Sequence, residues 1–365
     1  MNDPKTLIFA DLHLGTASIH DADAIVSWTR RVIQKHKPQR VVFDGDTFEL
    51  ILPMEHDLSI GVEPSIHRII SAWQALFYYH RESDLSEIIF LRGEHDAEVA
   101  VLDDTIQRYF PHQKIITGES WHDATSNSLV VHGHQFDYNR IFWDGNVKIS
   151  CIDGLTFAIN KFLSQTSKIE QQIRNAVAVG KFSYWYAYGE LPRFISAVER
   201  LFGADSDIYL RECARVLRDG DLDRWLAEQS SVLTHVCGRM AKIAALHPRL
   251  LLQLYDTFYR LLDLHVKWKM RNVLIGRPYK DQPEDLNVSG GVRNLITGHF
   301  HEPRAWHWEG RSVYNIGCPK LSVAGTVGDE LHVFRDLDFV LLDGAHVTFH
   351  HERIPSTIPL SEFGL

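Results

Sequence analysis

The chain predicts an α+β protein in which a mixed core domain is interrupted by a large helical insertion. Three observations predict it. Residues 6–132 alternate short β-branched or apolar runs with segments of helical periodicity. Beyond residue 291 the texture changes to closely spaced strands separated by Gly and Asp turns. Between them, about 141–290, long helical patterns dominate and strand signal is weak. At 365 residues and 42.0 kDa the chain is longer than one ordinary domain needs. The expected division is therefore 1–140 and 291–365 as one domain, with 141–290 as an insertion or cap.

The expected strands of the first part are Thr6–Ala10, Val41–Asp44, Ile88–Leu91, Lys114–Thr117 and Ser128–His132. Between the first two, Ile25, Trp28, Val32 and Ile33 share one helical face, and Pro38 ends that helix because it offers no N–H. A second helix is expected from Pro64 through Ile66, Ile69, Ile70, Trp73, Leu76 and Phe77. In the insertion, Leu251, Leu254, Tyr255, Phe258, Leu261, Leu262 and Val266 form an apolar stripe. The insertion also holds an aromatic group (Phe182, Tyr184, Trp185, Tyr186, Tyr188) and a basic run (Lys267, Lys269, Arg271, Arg277, Lys280). The first reads as helix-packing core and the second as a solvated helix face. The final part is expected as strands Val292–Thr297, Arg304–Trp308, Ser312–Ile316, Leu331–Phe334, Phe339–Leu342 and Ala345–His350.

Composition removes several classes. Hydrophobic residues at 45% and charged residues at 23% are those of a globular protein, not of a disordered or fibrous one. The four cysteines, Cys151, Cys213, Cys237 and Cys318, are widely spaced and form no CxxC pair, so a reducing, cytoplasmic setting is expected. The strand-like run at Thr6 leaves little room for a basic-then-apolar leader, so secretion is not expected, and no apolar run is long enough to span a membrane. Residues 1–140 carry 12 basic against 21 acidic side chains, which disfavours a general nucleic-acid-coating surface. Against this background 21 histidines stand out, because histidine is the commonest metal ligand.

Five short patterns occur in order, each where a strand should end: Asp11-Leu12-His13, Gly45-Asp46-Thr47-Phe48-Glu49, Gly93-Glu94-His95-Asp96, His132-Gly133-His134 and Gly298-His299-Phe300-His301. Loops beyond strand ends are where α/β scaffolds gather ligand-binding side chains. Asp-x-His and His-x-His in extended chain put alternate side chains on one face, within reach of a single ion. Any one pattern alone is a common turn or helix cap; five in order at strand ends predict a metal site. Carboxylates mixed with imidazoles suit Mn, Fe, Zn or Ni better than an all-oxygen Ca or Mg cage.

These patterns resemble those of the calcineurin-like metallophosphoesterases. The resemblance covers residues 6 to about 140 and 291 to about 320, and leaves the insertion unexplained. It implies a sandwich of two sheets flanked by helices (αββα) and a two-metal centre. It further implies that Asp11, His13 and His301 hold one ion, that His132 and His299 hold the other, and that Asp46 bridges both. By the same resemblance His95 contacts the phosphate and leaving group, and Tyr314-Asn315-Ile316-Gly317-Cys318 is similar to the strand and turn that follow the last motif, with Cys318 where serine is common. The family's third motif has Asn where this chain has Glu94, which is expected to ligate the second ion through a carboxylate oxygen. Glu49 is read with equal weight as a support for a first-metal histidine or a surface charge. Asp96 is read as a candidate to orient the His95 imidazole, and His134 as solvated in preference to supporting the ligands. In motif style the closest branch is that of UDP-2,3-diacylglucosamine pyrophosphohydrolase, although that enzyme has Arg at the position of His95 and a much shorter insertion.

Two divalent ions, Mn first with Fe, Zn or Ni as alternatives, would generate hydroxide near neutral pH for in-line attack on phosphorus. The expected function is metal-dependent hydrolysis of a phosphodiester or pyrophosphate, with the insertion selecting the substrate. Two alternatives stand beside it: a nuclease of the same superfamily, with nucleic acid admitted but not favoured, and a non-catalytic scaffold that keeps the fold.

Overall fold

A computed structural model describes residues 4–14, 19–48, 69–70, 85–96, 99, 103–136, 140–143, 147–150, 264–280, 282–301, 303–319, 321–327 and 330–359. The chain divides into two compact units. The first comprises Met1–Asp137, Val266–Lys320 and Asp336–Ile354, and the second Tyr138–His265, Leu321–Arg335 and Pro355–Leu365.

In the first unit, β1 (Thr6–Phe9), β2 (Arg40–Asp44), β3 (Glu87–Leu91) and β4 (Lys114–Gly118) run parallel, with Ile8 opposite Val42 and Ile89 opposite Ile116. Strict alternation sends successive side chains of β1 to opposite faces. Leu7 and Phe9 join Val41, Phe43, Ile88 and Phe90 on the outer face, where they meet Ile25, Trp28, Val32 and Ile33 of α1 (Ile19–His36). Phe9 meets Trp28 edge-on at 5.4 Å. Basic Lys35 and His36 close α1, where the helix dipole favours cations, just before Pro38. Ile8, Ala10, Val42, Ile89 and Leu91 face the other way, onto a second sheet.

That second sheet has the order β10-β11-β9-β6-β5, from β5 (Trp121–Asp123), β6 (Ser128–Val130), β9 (Asn294–Thr297), β10 (Arg304–Trp308) and β11 (Arg311–Asn315). Val130, Ile296, Tyr314 and Ile316 fill the space between the sheets. Its outer face, with Leu129, Leu295 and Val313, is covered by Val266, Met270, Val273 and Leu274 of a helix over 264–274, here α2, and by Leu286 and Val292. Helix, sheet, sheet and helix are thus the four layers of an αββα sandwich. The first sheet is seven-stranded, with β12 (Leu321–Val327), β13 (Glu330–Asp343) and β14 (His346–Pro359) added beyond β1. β13 lies antiparallel to β1, with Leu7 opposite Leu341.

The expected strands after residue 291 are present, with one fusion. Leu331–Phe334 and Phe339–Leu342 belong to one continuous strand, β13, because the Asp residues between them find cross-strand partners. Arg353 donates two hydrogen bonds to Asp336 (2.7 and 2.8 Å), and His351 Nδ1 lies 2.6 Å from Asp338 Oδ1. Strands β5 and β12 carried no clear signal: β5 spans three residues, and β12 changes register between Val323 and Gly325. The interval expected as an insertion opens on a hairpin in the second unit, β7 (Arg140–Trp143) with β8 (Val147–Ser150), whose intervening Asp144-Gly145-Asn146 is a turn sequence. Its end, 264–290, supplies the outer helix of the sandwich. The stripe from Leu251 to Leu262, the aromatic group 182–188 and most of the helix expected from Pro64 lie outside the described residues; Ile69 and Ile70 are helical and buried. Among the described residues no helix is long and apolar enough to cross a membrane.

Candidate metal centre

The five motifs leave the carboxyl ends of five strands: Asp11 after β1, Asp46 after β2, Glu94 after β3, His132 after β6 and His299 after β9. The first two loops continue the β1–β2 pairing past the sheet, with the His13 amide donating to Asp46 O (2.7 Å) and the Leu14 amide to Thr47 O (2.8 Å). In the second sheet the β6–β9 pairing is likewise continued, the Gly298 amide donating to His132 O (2.9 Å). Asp11, His13, Asp46, His299 and His301 all adopt left-handed backbone, with φ between 45° and 69°. Each such non-glycine residue costs on the order of 1 kcal/mol, a strain characteristic of functional sites. The glycines of the motifs make the approach possible. A Cβ on Gly93 would overlap the Asp46 carboxylate, and one on Gly298 would overlap that of Asp11.

All seven expected ligands converge. His13 Nε2 lies 3.2 Å from His301 Nε2 and 3.8 Å from Asp46 Oδ2, and His301 Nε2 lies 3.5 Å from Asp11 Oδ1. His132 Nε2 lies 3.2 Å from Asp46 Oδ2 and 2.9 Å from Glu94 Oε2, while His299 Nδ1 contacts the other Glu94 oxygen. Asp46 Oδ2 therefore stands between the two histidine pairs. Six of the seven are under 4% exposed, His301 alone being half-buried. Backbone amides orient the carboxylates: His95 donates to Asp46 Oδ1 (2.9 Å) and His299 to both oxygens of Asp11 (3.0 and 2.9 Å).

The donor atoms fit a cation. Among the described residues Asp46 Oδ2, Glu94 Oε2 and His132 Nε2 are buried and crowd one another, with no further group to satisfy them. Such atoms are costly to bury unless something positive meets them. Donors about 2.0–2.2 Å from one ion stand about 2.8–3.6 Å apart in tetrahedral or adjacent octahedral positions, close to the separations above. His132 Nδ1 donates to the Asp44 carbonyl (2.7 Å), so its Nε2 is the nitrogen turned to the centre. Burial alone would lower the His132 pKa, but Asp46 and Glu94 outweigh it and raise it well above the ordinary value. Burial likewise pushes Glu94 up, and His299 and His132 overcome it and hold the carboxyl well below the usual range. Burial and then the Glu94 charge raise Asp46. The pocket thus attracts positive charge at the histidine nitrogens themselves, and a metal would compete with protons there.

Some expectations change. The Asp96 carboxylate does more than sit beside His95: it clamps the second and third motifs together. Oδ1 accepts from the amides of Gly93 (2.8 Å) and Asp46 (3.2 Å), and Oδ2 from those of Thr47 (2.8 Å) and Phe48 (3.2 Å). Burial first, then Asp46, push its pKa up to about 7 against these four donors. His134 is buried rather than solvated, its Nδ1 3.7 Å from Glu94 Oε2, because the chain turns inward in a 3-10 turn over His134–Phe136. His95 is buried, and its ring nitrogen, one of His13 and an Asp46 oxygen lie within 4.8 Å of one another. Glu49 lies outside the described residues. The basic run is engaged on the second sheet: Lys269 Nζ donates to Phe136 O (2.9 Å), Arg271 stacks over Trp308 (4.1 Å), and Lys267 lies 5.9 Å from the Trp306 ring centre. Asp44, whose carbonyl holds His132, was not distinguishable in the sequence from any strand-end aspartate.

The chain belongs to the calcineurin-like phosphoesterase family, whose model matches residues 4–226. No curated protein matches the sequence. Among solved structures it is similar to vacuolar protein sorting 29 from Cryptosporidium parvum, at 9% identity and a TM-score of 0.29, covering 98% of this chain and 100% of that one. It is also similar to wild-type Vps29 complexed with zinc from Entamoeba histolytica, at 11% identity, a TM-score of 0.27 and 96% and 98% coverage. A third is the phosphopantetheinyl hydrolase PptH from Mycobacterium tuberculosis, at 10% identity and a TM-score of 0.27, covering 87% of this chain and 91% of that one.

Proposed function

We propose that this chain is a metal-dependent phosphoesterase that hydrolyses a phosphodiester or pyrophosphate bond at a dinuclear centre. Asp11, His13 and His301 hold one ion, Glu94, His132 and His299 the other, and Asp46 is shared. The observation that carries the reading is the convergence of buried metal-ligating atoms on one centre, His132 Nε2 lying 2.9 Å from Glu94 Oε2 and 3.2 Å from Asp46 Oδ2. When bound, the ions, Mn before Fe, Zn or Ni, supply Lewis acidity and lower the pKa of water. The protein's own groups do the rest. The Asp11 and Asp46 carboxylates are oriented by backbone amides. His95, beside His13 and Asp46, stabilises charge on the phosphoryl oxygens or donates a proton to the leaving oxygen. The motif style of the UDP-2,3-diacylglucosamine pyrophosphohydrolase branch favours a pyrophosphate-containing substrate, with the chain between the two catalytic segments selecting it.

A second reading has one observation in its favour. Glu94 pairs directly with His132 and His299, so protonated histidines can satisfy it without metal and leave a scaffold with a silent second site. Elemental analysis after Mn loading, together with hydrolysis of bis(p-nitrophenyl) phosphate and a nucleotide pyrophosphate series, separates the two. Two ions per chain and turnover support the enzyme; one ion or none, without turnover, supports the scaffold. A DNA-binding assay across salt concentrations tests the nuclease alternative.

A further inference from the structure

Cys318 follows β11 in the turn Asn315-Ile316-Gly317-Cys318, and its side chain is buried. Its Sγ and one ring nitrogen each of His13 and His301 all lie within 4.8 Å of one another. The thiol donates to Asp11 O (3.2 Å), which ties it to the loop that carries Asp11 and His13. Beside this group, Asp46 Oδ2 is fully buried, 3.8 Å from His13 Nε2 and 3.2 Å from His132 Nε2, and makes no hydrogen bond of regular geometry among the described residues. A soft sulfur, two imidazoles and a buried carboxylate oxygen are a donor set, and among the described residues the other group, Glu94, His132 and His299, contains no sulfur.

We propose that Cys318 is a thiolate ligand of the ion held by His13 and His301, so that the two ions of the centre differ in kind. The proposal rests on the dinuclear reading above. Binding replaces the S–H bond with a sulfur–metal bond, and the proton leaves to solvent; a coordinating thiol is deprotonated outright. Thiolate ligation favours Zn or Fe over Mn at that position, whereas a set made only of nitrogen and oxygen accepts Mn at the other. A chain with serine at 318 would present two similar hard sites; this chain presents one soft and one hard.

Cobalt loading of the full chain tests this. A thiolate on cobalt gives a near-ultraviolet sulfur-to-metal charge-transfer band that nitrogen and oxygen ligands do not give. Wild type is expected to bind two cobalt ions and show the band, and Cys318→Ser to lose the band while keeping its visible d–d absorption and its circular dichroism. Zinc affinity at that position should fall at least about tenfold, since losing a ligand costs no less than losing a supporting partner. Two bound cobalt ions without the band, or a band unchanged in Cys318→Ser, overturn the proposal and leave the dinuclear centre standing. No cobalt bound at all overturns both. Should Cys318→Ser fail to fold, zinc X-ray absorption of the wild type decides: a sulfur shell at about 2.3 Å supports the ligand, and nitrogen and oxygen shells alone refute it.

Discussion

Replacing Asp96 with Asn tests whether the centre is held together by its backbone clamp. The change removes one charge and nearly no volume, so a surface carboxylate would tolerate it. Here both oxygens accept two amides each, Gly93 and Asp46 on Oδ1, Thr47 and Phe48 on Oδ2. An asparagine amide keeps one accepting oxygen and turns an NH2 group toward the other two N–H donors. Two hydrogen bonds to a charged acceptor are lost, each worth about 1.5–3 kcal/mol, and buried donors are left facing donors. The lost bonds cost about 3–6 kcal/mol, but Asn also removes a buried charge whose burial pushes the carboxyl up to about 7, which offsets part of that cost, so a net loss of at least about 1–2 kcal/mol is expected. Urea unfolding followed by circular dichroism should be run at pH 8, above the value near 7 to which burial and Asp46 push this carboxyl, so that the wild type carries the anion. Metal content should fall with stability, because the clamp holds Asp46 in its left-handed conformation at φ 46°. A loss under about 1 kcal/mol in a folded variant with normal metal content would refute the reasoning.

His95→Asn is expected to lower turnover by about 10²–10⁴ with metal content unchanged, measured by steady-state kinetics and elemental analysis on the same preparation; loss of metal would make His95 a ligand instead. Glu94→Gln should release the second ion while the first remains, giving about one ion per chain, and retention of both would show that Glu94 is not a ligand. Asp338 supplies the pH dependence. Burial, only partly offset by His351, raises its pKa from 3.8 to about 6. A carboxyl raised in the folded state contributes stability that is present below its unfolded value and lost as pH rises through its folded one. Wild type should therefore lose up to about 3 kcal/mol between roughly pH 4 and pH 7, and Asp338→Asn should lack that part of the decline. Identical slopes for the two proteins would remove Asp338 from the account.

The parts of this molecule that were legible in the sequence share a physical property: their signal is local. Alternation in Thr6–Phe9 shows which residues face each layer, because a strand's period of two is written in consecutive residues, and Leu7, Phe9 and Ile8, Ala10 separate into the two cores accordingly. The candidate ligands were legible because they fall in five short motifs, each just past a strand end, and several of those motifs carry a glycine where the chains approach closely. Gly93 beside Asp46 and Gly298 beside Asp11 are the visible trace of that crowding. What was hidden depends on partners distant in the chain. Asp96 was read as a neighbour of His95, yet it acts on amides 48 to 50 positions earlier. Asp336 and Asp338 looked like a turn until Arg353 and His351 on the next strand made them part of β13. Cys318 reaches the centre across a separation of 307 residues, through the carbonyl of Asp11. A carboxylate or thiol whose meaning is set by a partner on another strand has the same local pattern as one that points to solvent. Its role becomes readable only when the fold supplies the partner, and for that reason the residues supporting and extending the centre, Asp96, Asp44 and Cys318, are the ones whose substitution most directly tests how it is built.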